Sequence, residues 1–143
     1  MAQVRTARRR SREIALQALY AWQLGGDALE ELRALAEGSG ADLALAETLV
    51  RGVSERADAL RAQLEPCLSR EFTRLSPVER AILYIGAYEL AEHPETPFKV
   101  VVNEAIELGK SFGGAGGHKF VNGVLEKLAE QLRPDELGRR QPA

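Results

Sequence analysis

The chain has 143 residues, 45% of them hydrophobic, and its 19 Lys and Arg against 21 Asp and Glu give a formal net charge of −2. This length allows one domain of common size and leaves little room for a catalytic domain beside a cofactor domain. The single cysteine, Cys67, excludes an internal disulfide and suits a reducing compartment. No apolar run approaches the roughly 18 residues of a membrane span, and no apolar segment follows the N-terminal charges. We therefore expect a cytoplasmic protein without a membrane span or signal peptide.

The charges are unevenly distributed along the chain. The first twelve residues contain five arginines and no acid, whereas the rest of the chain carries 14 basic and all 21 acidic residues. The two parts therefore have opposite sign, and a net charge near zero hides a basic N-terminal segment. This distribution favours a local contact with a polyanion.

The hydrophobic residues follow a helical period almost throughout, and no segment alternates as a strand would. We therefore predict an all-α fold of about seven helices. The first helix runs from about Thr6 to Leu24, where two glycines end it. Asp27 caps a short second helix, and Asp42 caps a long third helix that is predicted to run without a break to Pro66.

The second half of the chain contains the clearest helix start. A short amphipathic piece leads to Ser76, where a serine, a proline and a glutamate three residues on form the pattern of a capping box. Residues 81–88 are apolar nearly all round and predict the most buried helix. A further helix begins near Pro97, and the last helix follows the glycine-rich loop 113–117 and stops before Pro134.

We expect a single domain of two small bundles, with sub-bundles at roughly 5–75 and 76–134 and a flexible polar tail at 135–143. Short connections between the helices favour antiparallel neighbours. Asn122 and Gly123 lie inside the last predicted helix although both oppose helix propensity. This predicts that another helix approaches the last one closely at Gly123.

Four arginines fall in the first turns of the first predicted helix: Arg8, Arg9, Arg10 and Arg12. Positive charges at this end of a helix oppose its dipole, at a cost of roughly 0.3–1 kcal/mol each when exposed, and they also repel one another. The cluster therefore predicts an external anion. Nucleic-acid phosphate is favoured over a solvated basic tail or a contact with anionic lipid.

Four glycines in five positions precede His118 and Lys119, an arrangement that can present backbone N–H groups and a lysine to a phosphate. The loop does not match a Walker A motif, because it follows a helix and Phe120 replaces the hydroxyl residue. For nucleotide binding, a flexible turn is the better interpretation. Contact with an RNA backbone and a plain connecting turn are left as equal alternatives.

Tyr20 is the aromatic residue that lies off the apolar stripe of its helix. It is either exposed near the arginine-bearing face, where its ring can stack on an unpaired base, or buried against a neighbouring helix. The aromatic residues that lie on apolar stripes are predicted to belong to the core: Trp22, Phe72, Phe98 and Phe112.

An enzyme site is poorly supported by the sequence. The two histidines are far apart, Cys67 lies beside a proline, and no metal-binding or nucleophile motif is present. Glu104 and Glu107 lie one turn apart on a polar face, where carboxylates are far more often solubilising than catalytic. We expect no catalysis, no cofactor and no metal.

Several strings of residues occur together and in order. They are RRRSRE at 8–13, QALYAWQ at 17–23, ERAIL at 79–83 with YEL at 88–90, PFKVVVNEAIEL at 97–108, KSFG at 110–113 and KFVNGVL at 119–125. Together they resemble the NusB family of bacterial transcription antitermination factors over nearly the whole chain. The segment 25–40 has no close match, and no role is carried over to it.

The resemblance implies an all-helical fold of two small bundles without catalytic activity. Proteins of this family pair with NusE, a small-subunit ribosomal protein, and together bind the boxA RNA of ribosomal RNA leaders. The pair then joins an RNA polymerase antitermination complex that reads through terminators during ribosomal RNA synthesis. The competing interpretation is a protein-only scaffold whose basic segment is incidental, and a homodimer is compatible with either.

By the same resemblance, the implied RNA-binding positions are Arg8, Arg9, Arg10, Arg12 and Tyr20 in the first helix, Arg80 at the start of the central helix, and Gly116, His118, Lys119 and Phe120 near the start of the last helix. The positions implied to contact the protein partner are Glu79, Arg80 and Tyr88. Because the loop 113–117 is almost all glycine, any role it has must be through its backbone.

Overall fold

A computed structural model describes residues 6–113 and 117–140 of the chain. Within these ranges the chain forms helices and 3-10 turns but no strand, and the α-helices are α1 (Ala7–Gln23), α2 (Ala28–Ala36), α3 (Leu43–Leu64), α4 (Pro77–Glu92), α5 (Phe98–Phe112), α6 (Gly117–Leu132) and α7 (Pro134–Arg140). Two short 3-10 turns, Glu65–Cys67 and Phe72–Arg74, lie between α3 and α4. The predicted all-α fold of about seven helices is confirmed. No helix among the described residues is long and apolar enough to cross a membrane.

Side-chain caps begin four of the helices where the sequence predicts them. Thr6 accepts a hydrogen bond from the backbone N–H of Arg9, and Asp27 accepts two at the start of α2. Asp42 accepts from the N–H of Leu45 at the start of α3. At α4, Ser76 and the glutamate three residues on form a complete capping box. Each cap satisfies N–H groups that the first turn of a helix leaves without partners.

The helix α3 contains a kink that the sequence analysis does not predict. Arg56 has φ −118° and ψ 17°, outside the helical range, so the expectation of an unbroken helix is wrong. The apolar spacing of Val53, Ala57 and Leu60 continues through the kink, so the side-chain pattern carries no signal of a local change in the backbone.

The chain divides into two compact units at this kink, Met1–Arg56 and Ala57–Ala143, and not before Ser76 as the sequence analysis expects. In the first unit, α1 packs on α2. The first unit has a small apolar core that includes Ile14, Ala15, Ala18, Leu19, Leu49 and Val53.

In the second unit, α4 packs on α5 and α6. Residues 81–90 of α4 are all buried, which confirms the prediction that this helix is the most buried one. Gly86 allows the close packing, because a Cβ there would lie 2.7 Å from Cδ1 of Leu125 on α6. By contrast, a Cβ at Gly123 would have no neighbour within 4 Å, so the predicted close approach at Gly123 is wrong.

The helix α7 lies where the sequence analysis expects a flexible tail from residue 135. Arg133, only 8% exposed, makes the connection: its guanidinium donates to the carbonyl oxygens of Glu89, Leu90, His93 and Thr96. Glu136 accepts from Arg133 and from the backbone N–H of Phe98. These bonds satisfy backbone groups at the end of α4 and the start of α5 and hold α7 against both.

Candidate nucleic-acid interface

The arginine cluster lies on the first two turns of α1, in the first compact unit. Arg8 is exposed, Arg9 and Arg10 are partly exposed, and Arg12 is buried with 3% of its surface accessible. The first-turn residues include no acid, so the guanidinium groups reinforce the positive end of the helix dipole. We call Arg8, Arg9 and Arg10 the arginine surface, because these three reach solvent.

Arg12 has a different place from the one that the sequence analysis gives it. Its side chain lies in the interior of the first unit and interacts there with other groups of the protein. A guanidinium in this position does not meet an RNA phosphate. The burial of Arg12 therefore does not support the prediction that it binds RNA.

Glu13 lies directly beneath the arginine surface. Its side chain is 3% exposed, and its Oε1 accepts a hydrogen bond from Nη1 of Arg10 at 2.9 Å. Buried carboxylates require such partners, because the loss of hydration is costly. The bond ties the Arg10 side chain, which is 35% exposed, to a residue about one turn further along α1. Glu13 is not among the site residues predicted from the sequence.

Ser11 fixes the first turn of α1 to the start of α3. It is fully buried, and its hydroxyl lies 2.8 Å from the carbonyl oxygen of Ala7 and 2.7 Å from that of Asp42. The backbone N–H of Asp42 also donates to the Ala7 carbonyl. The turn that carries Arg8 and Arg9 is thus held at one end by Thr6 and underneath by Ser11.

Tyr20 is 40% exposed, which decides between the two alternatives in favour of exposure. Eleven residues separate it from Arg9, and at 100° per residue this places both side chains within about 20° on the helix, roughly 16 Å apart along its axis. Tyr20 therefore extends the arginine surface along one face of α1. Trp22, predicted to lie in the core, is only partly buried.

In the second unit, the start of α6 carries three of the predicted residues. His118 and Phe120 are partly exposed and Lys119 is exposed, whereas Gly116 lies outside the described residues. Gly109 on α5 allows the backbone of His118 to come close, since a Cβ at Gly109 would lie 3.0 Å from Cα of His118. This contact fixes the first turn of α6 against α5.

Around Phe120 the structure brings together residues that are far apart in sequence. The guanidinium carbon of Arg70 lies 4.4 Å from the centroid of the Phe120 ring, and Nη2 of Arg70 is 4.0 Å from Oε2 of Glu79. Phe120 and Glu79 are among the residues predicted from the sequence, whereas Arg70 is not. Nothing in the local pattern marks Arg70, because it lies in the short segment between two 3-10 turns.

The two other residues at α4 are less accessible. Arg80 is partly exposed; its Nε is buried without a hydrogen-bond partner among the described residues, and its guanidinium lies 6.0 Å from the Phe72 ring. Tyr88 is only 6% exposed and packs edge-on against His93. The prediction that Tyr88 contacts a partner protein does not agree with this placement, because its ring belongs to the interior of the second unit.

Among the described residues, no group of three or more His, Cys, Asp or Glu side chains comes together as metal ligands would. Burial raises the pKa of the Cys67 thiol above its ordinary value, an effect that Lys127 partly offsets. Burial likewise raises the pKa of Tyr84, against the opposing charges of Arg61 and Arg80. Both groups therefore stay protonated at neutral pH.

Comparisons with known proteins agree with this architecture. The model of the NusB family matches residues 9–130. The transcription antitermination protein NusB of Paraburkholderia phymatum is 50% identical over 137 residues, which cover 93% of this chain and 94% of that protein. The structure of T. maritima NusB has a TM-score of 0.82 at 27% identity and covers 94% of this chain and 99% of its own. A crystal structure of the antitermination factors NusB and NusE in complex with dsRNA has a TM-score of 0.79 at 27% identity, and the match covers 87% of this chain and 97% of the related chain.

Proposed function

The chain belongs to the NusB family, and from that membership we propose that it is an RNA-binding transcription antitermination factor. In this proposal it pairs with NusE and binds the boxA RNA of ribosomal RNA leaders in the cytoplasm. The pair then joins RNA polymerase and promotes read-through of terminators. The role is that of an adaptor, and the proposal assigns the chain no catalytic step, cofactor or metal.

The observation that carries the proposal is the match to the family over residues 9–130, which includes most of the arginine surface. The related complex of NusB and NusE with dsRNA supports both partners. Arg8, Arg9 and Arg10 supply charge for phosphates, and Tyr20 supplies an aromatic ring for an unpaired base on the same helix face. In the second unit, His118, Lys119 and Phe120 are proposed as a further RNA contact.

An RNA titration tests the proposal. Fluorescence anisotropy of a labelled boxA RNA is measured over a range of salt concentrations, with and without NusE. We expect binding that NusE strengthens and that salt weakens. In the double variant Arg8→Ala/Arg9→Ala, the slope of log K against log salt should decrease by about 1.4, since each lost phosphate contact on a single strand accounts for roughly 0.7.

Arg33→Ala is the matched control, because Arg33 is an exposed arginine on α2 and lies outside the residues proposed for RNA contact. It should leave both affinity and slope unchanged. If the unaltered chain binds boxA RNA neither alone nor with NusE, the adaptor proposal is wrong and the protein-only scaffold is favoured. If the double variant binds with an unchanged slope, the arginine surface is not the phosphate contact.

A further inference from the structure

Arg70 is held in place by two groups from different helices of the second unit. Its guanidinium carbon lies over the ring of Phe120, 4.4 Å from the centroid, and its Nη2 is 4.0 Å from Oε2 of Glu79. The Arg70 side chain is nevertheless 49% exposed. Because the Phe120 ring lies against the guanidinium on one side, a ligand can approach the guanidinium only from the other side.

Glu79 is itself fixed, since its other carboxylate oxygen accepts a hydrogen bond from the backbone N–H of Ser76 in the capping box of α4. The side chain of Glu79 is only 19% exposed. Arg70 is therefore positioned before any ligand arrives, which lowers the entropy that binding would cost. A long side chain held in this way on an exposed segment has no evident role in the core of the unit.

Beside Arg70 lies an open cleft of about 510 Å³. Its size falls in the range of small-ligand sites, and the exposed residues Ser69 and Thr73 are part of its wall. Two arginines and two glutamates also line it, so its charges nearly cancel: Arg61, Arg70, Glu65 and Glu71. A polar lining without net charge suits the hydrogen-bonding edge of a base better than a phosphate.

We propose that Arg70 is the stacking platform for one unpaired base of the bound RNA, with Phe120 beneath the guanidinium and the cleft beside it receiving the base edge. Single-stranded RNA is recognised by this type of contact, in which bases stack on aromatic rings or on arginine planes. The inference rests on the proposed RNA-binding function and adds a residue to it. In addition to its proposed contact with RNA, Phe120 then supports the guanidinium of Arg70.

The test combines protein variants with RNA that lacks single bases. Binding of boxA RNA in the presence of NusE is measured for the unaltered chain, Arg70→Ala, Arg70→Lys and the control Arg33→Ala. Each RNA of the series carries an abasic residue at one position, so that every base is removed once. Arg70→Ala should weaken binding to intact RNA roughly tenfold, in line with the loss of one stacked base.

The coupling between Arg70 and a base identifies stacking. At one position, removal of the base should weaken binding by the unaltered chain roughly tenfold and leave binding by Arg70→Ala nearly unchanged. Arg70→Lys keeps the charge but not the plane, so it should retain the salt slope and lose the affinity and the coupling. Arg33→Ala should match the unaltered chain at every position.

The outcomes separate this inference from the function on which it rests. If the unaltered chain fails to bind boxA RNA, both are wrong. If it binds but no abasic position couples to Arg70, or if Arg70→Lys restores full affinity, the stacking platform is wrong while the RNA-binding function stands. Thermal unfolding of each variant shows whether a loss of affinity reflects a loss of fold, and Arg70→Lys serves as the second variant if Arg70→Ala unfolds.

Discussion

Nη1 of Arg10 lies 2.9 Å from Oε1 of Glu13, and the two side chains are exposed to very different extents, 35% and 3%. One end of this pair is therefore in the interior of the first unit and the other faces solvent. The guanidinium satisfies a buried carboxylate and remains accessible to an anion. Arg10 consequently links the stability of α1 to the surface that we propose for RNA.

Arg10→Ala should lower both the free energy of unfolding and the affinity for RNA. The buried Glu13 carboxylate loses one of its hydrogen-bond donors, which costs about 1–2 kcal/mol. Arg8→Ala is the matched variant, because Arg8 is exposed and its substitution removes the same charge. We expect it to weaken RNA binding without a change in unfolding beyond about 0.5 kcal/mol. Urea denaturation gives the free energies, and equal stabilities for the two variants would contradict the dual role of Arg10.

The helix starts could be predicted because their causes are local. A cap such as Ser76 and the glutamate at position 79 lie within one turn, so the sequence contains both partners of the interaction. The same holds for Asp27 at α2. The central position of α4 could also be predicted, because a helix that is apolar on every face has no polar face to expose to solvent.

The site was only partly predictable for the opposite reason. Arg8 and Arg12 lie about one turn apart on the same helix, yet Arg8 is exposed and Arg12 is buried. The composition of the segment does not distinguish the two arginines. The contact of Arg70 with Phe120 joins residues fifty positions apart. Pairings at such distances depend on how the helices pack, and this information is not contained in any local pattern.

The helix α7 could not be predicted from the sequence for the same reason. A polar segment after a proline is typical of a frayed tail, but long-range hydrogen bonds of Arg133 and Glu136 make it part of the second unit. Those acceptors lie 37 to 44 positions earlier in the chain. From the sequence, Arg133 is a charged residue next to a proline; in the structure its side chain is buried.

Arg133→Ala should be the most destabilising of the single arginine substitutions discussed above. It removes a buried guanidinium and leaves carbonyl groups at the end of α4 and the carboxylate of Glu136 with fewer donors, which costs about 3–5 kcal/mol. Arg51→Ala is the control, since Arg51 pairs with Glu47 on the exposed face of α3 and should contribute less than about 1 kcal/mol. Thermal unfolding compares the two. Similar melting temperatures for both variants would show that the buried network does not hold α7.

Substitution by alanine should have opposite effects on the free energy of unfolding at Gly86 and at Gly123. Gly86→Ala would place a Cβ 2.7 Å from Cδ1 and 2.9 Å from Cδ2 of Leu125, so the buried Leu125 side chain must shift, at a cost of about 1–3 kcal/mol. Gly123→Ala meets nothing within 4 Å and should stabilise by about 0.5–1 kcal/mol, because alanine favours the helix. Combining Gly86→Ala with Leu125→Ala should recover part of the loss. Additive effects in that double variant would rule out the clash as the cause.

Cys67 predicts how stability depends on alkaline pH. Burial raises the pKa of its thiol above the ordinary value of 9.0, and the sulfur lies 3.8 Å from the carbonyl oxygen of Gln63. The folded chain then binds the proton more tightly than the unfolded chain, so this contribution is complete below about pH 9 and is lost as the pH rises through the higher folded pKa. Cys67→Ala should therefore show a shallower fall in the free energy of unfolding between about pH 8 and pH 10, whatever its stability at neutral pH. Tyr84→Phe should keep the steeper fall in the free energy of unfolding over this pH range, because the Tyr84 hydroxyl has an ordinary pKa of 10.0 that burial raises further. Parallel curves for Cys67→Ala and the unaltered chain would contradict a raised thiol pKa.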